Sequence, residues 1–327
     1  MVKKKILITG ANGFVGYHLL KAALREGFEV FAGIREGSDF AHLKNLDVQY
    51  SYLKYSDTNS LKKDFENKKY DYIIHAAGIT KAANYETYER INADYTWNIA
   101  KAAETINPKK IIFISSLAAL GPAKYDENEG LQENRNPKPV TNYGKSKLVA
   151  EQHIKKSSDL NWMIIRPTAV YGPREKDLLL IIKMINKGIE VYLGKNKQIL
   201  SFIYVEDLAD VAIKACLSEK VRECYNISDG HQYDTQKLSE IVSKELKKKT
   251  FKITIPISII RVLANVMEEF SRGKPSILNK DKVRELIAEN WHCSIEKAQQ
   301  ELGFEPQSNL EKGMKNTIEW YKNNKWI

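Results

Sequence analysis

Along the first half of the chain, short apolar runs alternate with stretches in which apolar residues recur every three to four positions. Lys5-Ile6-Leu7-Ile8-Thr9 is the first run. From about Phe14 to Glu26, Val15, Leu19, Leu20, Ala23 and Leu24 trace one face of a helix that Gly27 ends. Glu29–Ile34, Tyr70–Ala76, Lys110–Ser115 and Trp162–Arg166 read as further strands, with helical stretches between them. Runs such as Ile111-Ile112-Phe113-Ile114 suit strands covered on both faces. Strand and helix alternating at this spacing predict βαβ units and a parallel sheet. After about Tyr171 the alternation becomes irregular. Gly172-Pro173 marks a turn, Val191–Leu193 a short strand, Val205–Ser218 a helix and Cys224–Ile227 one more strand. The rest reads as helices over Thr235–Lys249, Pro256–Phe270, Asp281–Ala288, Ile295–Leu302 and Leu310–Tyr321.

Between the first strand and the first helix stands Thr9-Gly10-Ala11-Asn12-Gly13-Phe14-Val15-Gly16. Gly10 permits a tight turn, Gly13 lets backbone N–H groups approach a pyrophosphate, and Gly16 lets the helix pack close to the sheet. The helix N-terminus adds partial positive charge. A glycine triplet alone is a weak signal, but its place after the first strand of a βαβ pattern makes it a strong one. The expected fold class is α/β: a Rossmann-type doubly wound parallel sheet with a smaller, helix-rich C-terminal substrate domain. Residues 1–170 form the NAD(P)-binding unit, a segment near 202–228 is expected to rejoin it, and 171–327 form the substrate-binding unit. The end of the second strand bears on the cofactor, because an acid there holds the ribose 2′-OH of NAD and an Arg accommodates the 2′-phosphate of NADP. Ile34 stands in the acid's place and Arg35 follows, which favours NADP over NAD. Glu36 and Asp39 are alternative partners for Arg35, and Glu36 is itself a candidate for a ribose.

Tyr143-Gly144-Lys145-Ser146-Lys147 places Tyr143 and Lys147 one helical turn apart. A phenol with a pKa of about 10 is too weakly acidic for base work near neutrality. A neighbouring ammonium and a positive nicotinamide ring both favour the phenolate. The spacing itself is cheap: 17 Tyr and 51 Lys plus Arg give about three such pairs by chance, and Tyr17/Lys21, Tyr50/Lys54, Tyr233/Lys237 and Tyr321/Lys325 share it. Context selects Tyr143. It follows a buried strand that ends in Ser115-Ser116, where Ser116 would hold a substrate oxygen at the sheet edge.

These residues together resemble the extended short-chain dehydrogenase/reductases, the NAD-dependent epimerase/dehydratase group, nearly end to end. Beside the glycine turn and Tyr143-xxx-Lys147, the resemblance rests on His75-Ala76-Ala77-Gly78, Asn92, Ser115 to Gly121, Arg166 to Pro173 and Phe202 to Ala209. It implies Ser116, Tyr143 and Lys147 as the catalytic set. It implies a cofactor lining of Gly10, Asn12, Gly13, Phe14, Val15, Gly16, Arg35, Ala76, Ala77, Gly78, Asn92, Ser115, Pro167 and Val170, joined by Tyr143 and Lys147. Lys54 stands where the group often has an acid near the adenine. Nucleotide-sugar epimerases commonly carry an Arg at the position of Leu200, to grip a pyrophosphate, although Arg284 falls near a second such position. The C-terminal pattern is similar to the dihydroflavonol-reductase and hydroxysteroid-dehydrogenase-like branch, which tips the reading towards a ketone or aldehyde oxidoreductase. An epimerase or dehydratase that retains its NAD is the alternative. The substrate pocket is expected from Lys81–Tyr88, Pro122–Asn142 and Leu178–Leu200.

Composition narrows the partners. Of 327 residues 43% are apolar and 28% charged, which excludes disordered and fibrous architectures. The net charge of +10 reads as scattered, its densest runs being Lys3-Lys4-Lys5 and Lys247-Lys248-Lys249. No basic stripe interleaved with aromatics favours nucleic acid. The longest uncharged stretch, Ile6 to Leu20, is interrupted by glycines and falls short of the ~18 apolar residues of a span. Cys216, Cys224 and Cys293 form no disulfide framework or zinc spacing. The expected partner is a small-molecule substrate, with no nucleic acid, membrane or metal, in a reducing cytoplasm. Homodimers are common in the group, and the sequence names no interface.

Overall fold

In the computed structural model, which describes residues 3–127, 129–194, 198–270 and 278–327, Ile6 and Ile8 face one core and Leu7 the other, and all three are fully buried. The same two-sided burial runs through a seven-stranded sheet. Its strands are β1 (Lys5–Thr9), β2 (Glu29–Ile34), β3 (Gln49–Tyr52), β4 (Tyr72–His75), β5 (Lys110–Ile114), β6 (Trp162–Pro167) and β10 (Glu223–Ile227). The order is β10-β6-β5-β4-β1-β2-β3 and every neighbouring pair is parallel. Helices α1 (Phe14–Arg25) and α7 (Val205–Leu217) pack together on one face. Helices α2 (Thr58–Lys68), α4 (Tyr95–Glu104) and α5 (Asn142–Lys156) cover the other. Chain order reverses between β1 and β4, so a crevice forms beyond their C-terminal ends, where doubly wound sheets bind ligands.

The short helix α3 (Tyr85–Tyr88) runs through a π-helical stretch, Glu89–Asp94, into α4. Past β6, β7 (Ala169–Tyr171) pairs with β9 (Phe202–Tyr204), and β8 (Ile189–Leu193) with β11 (Phe251–Ile255). Helices α6 (Asp177–Asn186), α8 (Thr235–Leu246) and α12 (Leu310–Asn323) enclose a separate core around Tyr171, Phe202, Met314 and Tyr321. Helices α9 (Ile257–Phe270) and α10 (Lys280–Ile287) form a small layer joined through Ile260, Ala264 and Val283. Helix α11 (Glu296–Leu302) packs on β10 and α7. β11 has no counterpart in the apolar pattern because four of its five residues are exposed.

Candidate active site

The glycine turn is closed over the end of β4. A Cβ at Gly10, where φ is +66°, would lie 2.8 Å from the Ala77 backbone, and one at Gly16 would lie 2.1 Å from the Gly10 carbonyl oxygen. The Gly13 N–H donates to the Gly10 carbonyl at 2.9 Å. Helix α1 starts after Gly13 with no side-chain cap and no acid in its first turn. Its N-terminal partial charge is thus left for an anion, and the turn fits the pyrophosphate of a dinucleotide. Phe14 and Val15 are half-buried in that first turn, and the Asn12 amide donates to the Asp39 carbonyl at 3.1 Å, tying the turn to the loop after β2. Arg35 is exposed just beyond β2. Its charge reaches the Tyr55 hydroxyl, which lies near the Gly10 backbone and the Thr9 side chain and is pushed up to about 12 by burial. Lys54 pairs with Asp57 at 3.5 Å on the surface.

At the end of β4, Ala76 and Ala77 are half-buried and Gly78 is exposed. Behind them His75 bridges Thr9 Oγ1 (2.7 Å) and Thr96 Oγ1 (2.9 Å). Burial, with the Lys147 charge, lowers this imidazole to about 3, so it is neutral. Asn92, in the π-helical stretch, accepts from the Ile79 N–H (2.8 Å) and donates to the Ile79 carbonyl and to Ser146 Oγ (both 3.0 Å). A Cβ at Gly78 would lie 3.0 Å from Asn92 Oδ1 and 3.8 Å from Lys147 Nζ. The strand end, Asn92 and Lys147 therefore converge.

Ser116 caps a short turn over Leu117–Ala119, and Thr141 caps α5 through the Gly144 N–H at 3.0 Å. A Cβ at Gly144 would lie 2.2 Å from the Ala118 carbonyl oxygen. Glycine there lets α5 close on the turn, and the Ser116 side chain, which accepts from the Ala118 N–H at 3.2 Å, comes up to Tyr143. Burial pushes Tyr143 up to about 12; the Ser116 hydroxyl opposes this, whereas Glu285 and Tyr88 add to it. Lys147 Nζ donates to the Ile114 carbonyl at 2.7 Å and sits 4.5 Å over the Phe113 ring. Burial lowers it to about 8, with Glu151 acting the other way. The expected lowering of the Tyr143 phenol by Lys147 is therefore not supplied by the chain's own charges, because the ammonium is held at the end of β5.

Ser115 turns away from Ser116. Its hydroxyl donates to Glu151 Oε1 at 2.6 Å, and Glu151 binds Arg166 through Nε (2.8 Å) and Nη2 (2.6 Å). Pro167 is the last residue of β6, and Val170 lies in β7 opposite Ile203. Glu151, one helical turn after Lys147 on α5, is not marked by any motif, and its spacing from Lys147 was its only signal in the sequence.

A cavity of about 210 Å³ lies beside Tyr143, lined by Ala82 to Asn84, Tyr88, Asn142, Glu268 and Asn279 to Asp281 with Arg284. The Tyr88 and Tyr143 rings are 6.3 Å apart. Asp281 accepts from the Asn142 N–H at 2.7 Å and pairs with Arg284 at 3.2 Å. Segment 81–88, expected to line the substrate pocket, contributes Ala82 to Asn84 and Tyr88 to this cavity, and 122–142 contributes only Asn142. Among the described residues 178–200 contributes nothing to this cavity, and residues 195–197 lie outside them. The segments α9 and α10 take that place, since α10 reaches across to cap the start of α5.

The sequence profile of the NAD dependent epimerase/dehydratase family matches residues 6–228. The chain belongs to this family. It is an NAD(P)-dependent enzyme of the extended short-chain dehydrogenase/reductase type. It is 27% identical to a UDP-glucose 4-epimerase of Vibrio cholerae, over 97% of this chain and 95% of that protein. It is 25% identical to a ceramide reductase of Caulobacter vibrioides, over 98% and 96%. The fold matches the crystal structure of UDP-glucuronic acid 4-epimerase from Bacillus cereus in complex with NAD, with TM-score 0.78 and 22% identity over 98% of this chain and 99% of that one.

Proposed function

We propose that this enzyme carries out net oxidation or reduction of a secondary alcohol or carbonyl, with Ser116, Tyr143 and Lys147 as its catalytic residues. The observation that carries the chemistry is the approach of the Ser116 side chain to Tyr143, one helical turn from the buried ammonium of Lys147. A bound nicotinamide dinucleotide supplies or accepts the hydride. Ser116 holds the substrate oxygen, and Tyr143 exchanges a proton with it. With its pKa near 12 the phenol is protonated at neutral pH, which suits proton donation to a carbonyl. Lys147 keeps positive charge beneath that oxygen, and Asn92 fixes the loop beyond β4 to α5. Residues 1–170 with 202–228 serve as the cofactor unit and the remainder as the substrate unit.

Net redox is favoured over epimerisation by Leu200, which occupies the position of the epimerases' arginine. Its backbone pairs with Tyr233, and its side chain packs on the core of α6, α8 and α12. Likeness to a ceramide reductase supports the same reading. The second reading, an epimerase with retained NAD, is favoured by Arg284 on the cavity wall and by likeness to a UDP-glucose 4-epimerase. Buried Ile34 followed by exposed Arg35 supports NADP over NAD; undiminished preference for NADPH in Arg35→Ala would refute that choice. Denaturing the purified protein and identifying released nicotinamide by mass separates the two readings. Exchangeable NADPH binding with nothing retained supports net redox, and one equivalent of tightly held NAD supports the epimerase.

A further inference from the structure

Helix α9 is apolar over more than half its circumference, and only one edge of that surface is buried. Ile260 and Ala264 are buried against Val283, whereas Ile259, Val262, Leu263, Val266, Met267 and Phe270 are 40–80% exposed. At 3.6 residues per turn those six fall in an arc of about 140° that adjoins the buried edge. Phe251 and Ile253 of β11, the strand leading into α9, are exposed as well. Outward apolar stripes of this kind mark contact surfaces.

The charge around the stripe identifies the contact. Residues 247–284 hold ten Lys and Arg against three Asp and Glu, a net +7 of the chain's +10. The excess is thus concentrated in the segment that carries α9, not scattered as its densest runs suggest. Glu268 and Asp281 are paired with Lys280 and Arg284. A second copy presenting the same basic segment would be repelled. An anionic bilayer is attracted by the lysines and accepts the apolar stripe.

We propose that α9 is an interfacial anchor, lying in the plane of an anionic lipid surface with its outward stripe among the acyl chains and the flanking Lys and Arg on the headgroups. Its 14 residues are about 21 Å long, short of the ~30 Å hydrocarbon core, so it does not span. Among the described residues no helix is long and apolar enough to cross a membrane, and the expectation of no membrane partner rested on spanning stretches alone. Glu268, near the end of α9, also lines the cavity beside Tyr143. Glu268 projects from the side of α9 away from the stripe, so docking leaves that cavity one helix width, ~10 Å, from the lipid surface and selects a lipid-borne carbonyl or alcohol as substrate; this last clause alone rests on the proposed function.

The test is flotation of the full-length protein with phosphatidylcholine vesicles, with and without about 25% phosphatidylserine. Binding is expected to the anionic vesicles, to weaken with salt, and to fall at least about tenfold in Val262→Asp/Val266→Asp. Both positions are exposed, and dinucleotide titration checks that the fold survives. Charge reversal at Lys247, Lys248 and Lys249 is expected to abolish the preference for phosphatidylserine, and it decides the matter should the first variant misfold. No flotation with anionic vesicles, or unchanged flotation of both variants, overturns the proposal. So does dissociation of a dimer by Val262→Asp/Val266→Asp without lipid binding by the parent. Flotation is also expected to survive Tyr143→Phe, so the anchor and the catalytic reading fail separately.

Discussion

Glu151→Gln removes one charge from an ion pair that water does not reach. Arg166 is 2% exposed and Glu151 fully buried, joined by two hydrogen bonds of 2.8 and 2.6 Å. An uncompensated buried charge left by such a change costs about 3–5 kcal/mol. Unfolding entropy of about 2.1 cal/mol/K per residue comes to about 0.7 kcal/mol/K for a chain of 327 residues. The melting temperature should therefore fall by about 4–7 °C in calorimetry. Adding Arg166→Met should recover most of the loss, since a buried pair replaced by apolar groups is often neutral. A fall below about 1 °C, or a double variant as unstable as the single one, would refute the reasoning. Glu151 also raises the Lys147 pKa, so the single variant should lose activity at lower pH than the parent.

Gly16→Ala places a Cβ 2.1 Å from the Gly10 carbonyl oxygen, so titration should show dinucleotide affinity reduced by at least about tenfold, the equivalent of 1.4 kcal/mol. Reduction should fall off above about pH 8 as Lys147 loses its charge, read from the pH profile of kcat/KM. The same shift has a stability sign. The folded-state pKa of about 8 lies below the ordinary 10.5, so the buried charge costs stability in full below pH 8, and that cost fades as pH rises to 10.5. Lys147→Met should then be more stable than the parent at neutral pH by up to about 3 kcal/mol, with the gain gone above pH 10.5 in denaturant titrations.

The core of the parallel sheet was legible because β1, β4 and β5 are apolar runs, each followed by helical periodicity, whereas β3, Gln-Tyr-Ser-Tyr at the sheet edge, has no such run and was not read. Ile6-Leu7-Ile8 and Ile111-Ile112-Phe113-Ile114 are buried on both faces. The exposed strand β11 has no such signature. The glycine turn was readable because Gly10 and Gly16 leave no room for a Cβ. Convergence of Ser116 with Tyr143 depends on Gly144 meeting Ala118, and the wall formed by α10 depends on Asp281 reaching Asn142. Both are long-range contacts with no local pattern. Ser115 and Ser116 are adjacent, yet one hydroxyl goes to Glu151 and the other faces the side of Tyr143; alternation along an extended backbone separates them.

The most direct test follows the consumption of NADPH with a panel of ketones and aldehydes, lipid-borne ones included, comparing the parent enzyme with Tyr143→Phe. The account predicts net NADPH oxidation matched one for one by alcohol formed, with kcat/KM lowered about 10²–10⁴-fold in the variant. Near-normal turnover by Tyr143→Phe, or interconversion of sugar epimers with no net change in nicotinamide, would contradict it.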